Sequence, residues 1–225
     1  MYSIILNTAL IFSGFCAADR LLARFTPLDG LYYLLHSIHN CAIVYITGSE
    51  VYNTITRFDL INTMPKNLLA LECVYALHFY HIAIYWRKFR FDDWLHHVLM
   101  IGVALPIGTF FDSKSLVGYS LFFTTGLPGA IDYFLLFLVR NGWLNRQTEK
   151  TVNSYLNVWC RSPGCVSHAV LTVAFVFVYG VKFSLDWWAA ILAASLTFWN
   201  GQYFMRQVVE NYAVQSYNEQ YHIKV

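Results

Sequence analysis

Long apolar stretches alternate with short polar connections along the chain. The runs are Met1 to Ala18, Leu31 to Gly48, Asn67 to Trp86, Trp94 to Phe111, Ser115 to Val139, Cys165 to Val181 and Asp186 to Phe204. About 18 mostly apolar residues are enough to cross the hydrocarbon of a bilayer. The pattern therefore predicts an all-α, polytopic membrane helical bundle of about seven transmembrane helices. Pro106 should kink the fourth, and Gly126, Pro128 and Gly129 should bend the fifth, where freed backbone groups need partners in the bundle or in a water-filled cavity. Asn145 to Cys160 reads as an interfacial amphipathic helix, and Met205 to Val225 as a polar tail. The first run lacks a basic leader. Cys16-Ala17-Ala18 has the small residues that a signal peptidase accepts, and a retained first span is the favoured reading.

Composition agrees with lipid as the solvent: 57% of residues are hydrophobic, 18% aromatic and only 12% charged. A net charge of +2 is too small to point to a nucleic-acid partner. Cys16, Cys41, Cys73, Cys160 and Cys165 lie mostly inside apolar runs with no paired spacing, and read as packed hydrophobes rather than as disulfides or metal ligands. The connections after spans one, three and five, with the tail, hold Arg20, Arg24, Arg87, Lys88, Arg90, Arg140, Arg146, Lys150, Arg161, Arg206 and Lys224. The opposite side holds Arg57, Lys66, Lys114 and Lys182. The positive-inside tendency then predicts a lumenal or external N-terminus and a cytosolic C-terminus.

Chemistry gathers around Tyr75 to Met100, where His78 and His81 close one span, Arg87, Lys88 and Arg90 form a basic connection, and Asp92, Asp93, His96 and His97 open the next. Ionisable groups are costly in a membrane interior and mark function by default. Asp92 or Asp93 could equally cap the helix that starts near Trp94. His36 and His39 share a helix face on span two. Helical rise places His36, His39, His81, His97, His168, Asp132 and Asn200 toward one side of the membrane, predicting a polar cavity rimmed by Arg87, Lys88 and Arg90. His36, His39, His78 and His168 could each serve only as interhelical hydrogen-bonding residues. His96 and His97, about 100° apart on a helix, are not expected to point inward together. Glu72 is expected to be an interhelical partner.

Asp93-x-x-His96-His97 at the start of a span, His36-Ser37 in an earlier helix and a later span broken by Thr124-Thr125-Gly126-Leu127-Pro128 resemble the TLC-domain family, which includes ceramide synthases and smaller lipid-homeostasis proteins. The order agrees over Leu31 to Phe204. The resemblance implies a six-helix TLC-type domain over 31–204, with residues 1–30 as an additional N-terminal helix and connection and 205–225 as a cytosolic tail. It also implies the endoplasmic reticulum and a role in lipid metabolism. The chain departs from the synthases in having Phe122-Phe123-Thr124-Thr125 where they carry a further His-Asp pair, and His81 where many relatives have an acidic residue.

Two functions follow as expectations. In the first, an acyl group passes from acyl-CoA, as co-substrate, to a lipid amine or hydroxyl, with His96 or His97 as general base and Asp93 or Asp132 orienting it. Arg87, Lys88 and Arg90 would meet the CoA phosphates, and His36 and His81 would contribute to binding, without a metal or bound cofactor. In the second, the cavity senses or carries membrane lipids and does no chemistry. An elongase would show His-x-x-His-His, and Asp93 occupies its first position. His36-x-x-His39 and His78-x-x-His81 are incomplete for a di-iron desaturase. A proton-coupled transporter finds no inverted repeat in the spans.

Overall fold

The computed structural model describes residues 2–183 and 186–221. Residues 222–225 of the expected tail, with Lys224, and the side chain of Lys182 lie outside the described residues. Every regular element among the described residues is helical. The α-helices are α1 (Tyr2–Phe25), α2 (Leu31–Thr56), α3 (Leu68–Tyr85), α4 (Phe91–Leu99), α5 (Leu105–Phe110), α6 (Leu116–Leu121), α7 (Leu127–Arg140), α8 (Arg146–Leu156), α9 (Ser162–Phe183) and α10 (Trp187–Gln220), with short 3-10 turns at Phe58–Thr63 and Trp86–Lys88. Three π-helical turns, Met100–Ala104, Phe122–Gly126 and Asn157–Arg161, join α4 to α5, α6 to α7 and α8 to α9 into continuous rods.

Each π turn ends two residues before a proline, namely Pro106, Pro128 and Pro163. A proline inside an α-helix lacks the N–H that would bond the carbonyl four residues back, and its ring clashes with that carbonyl. The residue just before each proline instead bonds five residues back: Leu105 to Met100, Leu127 to Phe122 and Ser162 to Asn157. The rods stay unbroken. The kink expected at Pro106 and the bend expected at Gly126 to Gly129 are thus realised as locally widened turns.

Side-chain pairs fix the register of the rods. Asn7 donates to both oxygens of Glu72 at 3.2 Å, and Tyr80 and Tyr85 donate to Asp19 at 2.9 and 3.0 Å, so α1 lies parallel to α3 and is latched to it at two levels. Glu72, 4% exposed, is the interhelical partner its position suggested. Ser37 donates to the Ala130 carbonyl at 2.8 Å and Thr125 to Asn40 at 3.1 Å, which sets α2 antiparallel to the α6–α7 rod. Gln202 donates to Ser162 at 2.9 Å and Gln147 to Ser216 at 2.8 Å, pairing α10 with α8 and α9 over their whole length. Apolar contact closes the middle of the bundle, where Ile43, Leu71, Val74, Leu105 and Leu121 form one buried cluster.

Two expectations are corrected here. Asn145 to Cys160 is not a separate interfacial helix, because the π turn makes it one rod with the sixth apolar run. The tail is helical as far as Gln220, continuing α10. Both extensions hold together as a hairpin beyond the apolar stretches, with polar Gln147 and Ser216 bonded across it.

Four helical stretches are long and apolar enough to cross a membrane: Tyr2–Phe25, Leu68–Lys88, Leu116–Arg140 and Arg146–Gly180. This fits a multi-pass membrane protein, though not by itself the count of seven. The rods built on α2, α4–α5 and α10 fall short because they carry the polar residues. In α2 those residues point inward: His36, His39, Asn40, Thr47 and Thr54 are buried, while Ile38, Tyr45, Tyr52 and Ile55 face out. Average apolarity is blind to which face a residue occupies. Among the cysteines, all free, Cys165 is buried and Cys41 is exposed.

Candidate functional site

A cavity of about 1260 Å³ runs inside the bundle, from Asp19, Lys88, Arg90 and Arg140 at one end to Phe111 and Ser113 at the other. Its first part is polar; its depth is walled by Leu71, Met100, Leu105, Leu121 and Leu196, with Ser120, His168, Thr172 and Thr197 as polar members. All three π turns contribute lining residues: Met100 and Ala104, Thr124 and Thr125, Asn157 and Arg161. Such turns widen a helix locally and recur at functional sites.

Near the basic end five imidazoles meet. The rings of His36 on α2 and His81 on α3 stack with centroids 4.1 Å apart, and His81 Nε2 and His36 Nδ1 are joined by a hydrogen bond of 3.1 Å in which one nitrogen donates and the other accepts. Tyr133 stacks on the other side of His36 at 4.0 Å, and Tyr32 lies against both rings at 4.6 and 5.0 Å. One turn along α3, His78 touches both members of the double histidine, with centroids 5.3 Å from His96 and 5.2 Å from His97. His97 also reaches His81 at 5.5 Å and stacks on Phe89 at 4.7 Å.

The tautomer of His78 follows from its bond. Its Nδ1 lies 2.8 Å from the Val74 carbonyl, which can only accept, so the proton is on Nδ1 and Nε2 keeps its lone pair. That Nε2 is buried and has no partner among the described residues. His97 is 4% exposed and its Nδ1 is likewise without a partner. His96 is exposed to the cavity that it lines. Both members of the pair therefore face the site, against expectation. The 100° between them is spanned because the His78 ring sits between their directions and touches each from one side.

The acidic candidates separate from the histidines. Asp93 lines the cavity, but its Oδ2 accepts the Arg90 N–H at 2.9 Å, the helix-capping role weighed for it. Asp132 lines the cavity and accepts from Asn153 at 2.6 Å, in a second polar group with Glu149, Lys150, Asn157 and Arg161. No imidazole is hydrogen-bonded to a carboxylate among the described residues. Nor are three His, Cys, Asp or Glu side chains there arranged to hold a metal ion.

Of the expected rim, Lys88 and Arg90 line the mouth, whereas Arg87 stacks over Trp86 at 5.4 Å and is absent from the cavity wall. Arg140 takes the third basic position. His168 lines the same cavity but stands apart from the five imidazoles. It stacks on Tyr119 at 6.3 Å and bonds Thr172 at 3.1 Å, and Tyr119 precedes Tyr133 by about 20 Å of helix. The sixth rod begins at Arg146, so His168 lies deep in it rather than near its entrance. His39 bonds Asn40 at 2.9 Å and is absent from the cavity wall. Asn200 lines mid-cavity, with a buried Oδ1 that has no partner among the described residues.

Sequence reasoning missed His78, Tyr32, Tyr133 and Arg161 as site residues. His78 shares a face with His81, a signal already in the spacing. Arg161 lies in the polar stretch ahead of the apolar run that opens at Cys165, so hydropathy alone leaves it outside the sixth span. Compared with protein-family models, with curated proteins and with solved structures, the chain has no significant match, and the site is read from its own residues.

Proposed function

We propose that this chain is a TLC-like membrane protein of lipid metabolism, with seven rods spanning the bilayer, its basic end cytosolic, its N-terminus lumenal and the endoplasmic reticulum as its membrane. Within it, an acyl group passes from acyl-CoA to a lipid amine or hydroxyl. The observation that carries this reading is the join of five imidazoles to an apolar depth in one cavity. The apolar part suits an acyl chain, and the thioester would then lie among the histidines.

His96 is the base, because it is the member of the double histidine open to the cavity. A neutral imidazole titrates near neutral pH and can take the proton from the acceptor as its N or O attacks the thioester carbonyl. The C–S bond breaks as the new amide or ester forms. The CoA thiolate then recovers that proton from the imidazolium. Lys88, Arg90 and Arg140 at the mouth would meet the CoA phosphates. His97, walled by Phe89 and His78, positions its neighbour.

One observation favours a second reading. A base usually has a group that orients it, and here Asp93 and Asp132 are both engaged elsewhere. The cavity would then sense or carry lipids with its histidines as polar lining. Lipid profiling of cells expressing the wild type, His96→Ala and His97→Ala at equal levels separates the two. Acyl transfer predicts an altered acyl-lipid spectrum with the wild type that falls by ~10²-fold or more without His96. An unchanged spectrum removes the enzyme and leaves the carrier.

A further inference from the structure

Arg161 ends the π turn before α9, lines the cavity and is only 8% exposed. Among the described residues its guanidinium has no hydrogen bond and no ion pair; its Nε is fully enclosed without a partner, and the group lies over the Phe204 ring at 5.0 Å. A buried charge normally has a counter-charge, since desolvation without one is costly. The carboxylates of this region are bonded elsewhere. Glu149 pairs with Lys150 at 3.1 Å, and Asp132 accepts from Asn153 at 2.6 Å; it lies near enough to act on Arg161 through space but not within ion-pair distance, so the guanidinium's N–H donors stay unbonded.

We propose that Arg161 recognises the oxyanion head, carboxylate or phosphate, of a long-chain amphiphile whose tail fills the apolar depth of the cavity. The inference rests on reading the cavity as a lipid site and adds the charge of the lipid. A guanidinium matches either oxyanion with paired N–H donors, and these bonds strengthen where water is excluded. The tail has its wall in Met100, Leu105, Leu121 and Leu196, on the same continuous space. Asp132 faces that space too, and its charge opposes the ligand's.

The test is equilibrium binding to the purified full-length protein in nonionic detergent, with three probes of equal tail: palmitate, 16-carbon lysophosphatidate and hexadecanol. The wild type should bind one or both anionic probes ~10- to 100-fold more tightly than the alcohol, the range a charge-assisted pair supplies; which of them it prefers identifies the head. Arg161→Gln should bring the anions down to the alcohol's affinity and leave hexadecanol binding unchanged, which also shows that the variant is folded. Arg161→Lys should retain part of the preference, and Asp132→Asn should strengthen it.

A wild type that binds acid and alcohol equally overturns the proposal, whatever the variants do. So does a preference that survives in Arg161→Gln. In both cases hexadecanol binding keeps the lipid cavity standing. Failure of all three probes on the wild type removes the lipid reading along with the oxyanion site.

Discussion

Leucine at Gly164 or at Gly201 is expected to leave little folded protein. These glycines are contact points rather than points of flexibility. A Cβ on Gly164 would run into the ring of Phe123 and come 2.8 Å from that residue's own Cβ. A Cβ on Gly201 would lie 2.6 Å from the Cβ of Cys165, on the helix against which α10 packs along its length. Helices in lipid gain no hydrophobic drive from meeting one another and depend on close approach of small residues. The obstructing atoms lie next to backbone, so the rods themselves must part, at a cost of about 1–3 kcal/mol or more for each site. Gly48 makes the control: nothing lies within 4 Å of the Cβ it would gain, and it lies inside a helix. Monodisperse yield and thermal midpoint in detergent should fall sharply for Gly164→Leu and Gly201→Leu and hold or rise for Gly48→Leu. Three equal midpoints would mean that these rods do not pack as described.

The contrast between those glycines shows what a linear sequence carries. The rods were legible because an apolar run is a local property, and their connections were legible from charge. Ends were harder. The sixth and seventh rods each continue past their apolar stretch, since α8 and the last part of α10 hold each other through polar bonds such as Gln147 to Ser216. A hydrophobic pattern stops where hydrophobicity stops, whereas a helix stops where its partner does. That error moved His168 to the wrong depth and hid Arg161 in a linker.

Pro106 and Pro128 mark in the sequence where a span departs from a regular α-helix, but not what form the departure takes, and Pro163 falls outside the apolar runs. In each case the backbone absorbs the missing N–H by widening the preceding turn. The consequence is functional geometry: three rods are swollen where they border the cavity. The histidines were legible as a group, since those on α2, α3 and α4 enter from the same end. Their pairing was not, because it depends on rotation about each helix axis. His39, one turn from His36, looks toward Asn40 instead.

Whether the imidazoles hold the bundle together or serve its cavity can be measured at the one pair joined directly. His36→Leu and His81→Leu are each expected to destabilise the protein by about 1–3 kcal/mol, because each leaves the surviving ring nitrogen buried beside an apolar group. Both residues are nearly enclosed, at 5% and 4% exposure, so bulk water does not freely replace the lost partner. The double variant should be more stable than the sum of the single effects by about 1 kcal/mol, the coupling that one buried interhelical hydrogen bond supplies. Unfolding of all four proteins in the same detergent measures that coupling. Additive effects would show that the 3.1 Å contact carries no interaction of its own. The double variant then separates architecture from function. With two leucines packed between α2 and α3 its fold should largely recover, yet the polar end of the cavity loses two of its five imidazoles and the stack on Tyr133. If lipid binding recovers together with stability, the pair is interhelical glue. If binding stays lost in a stable protein, His36 and His81 act in the cavity itself.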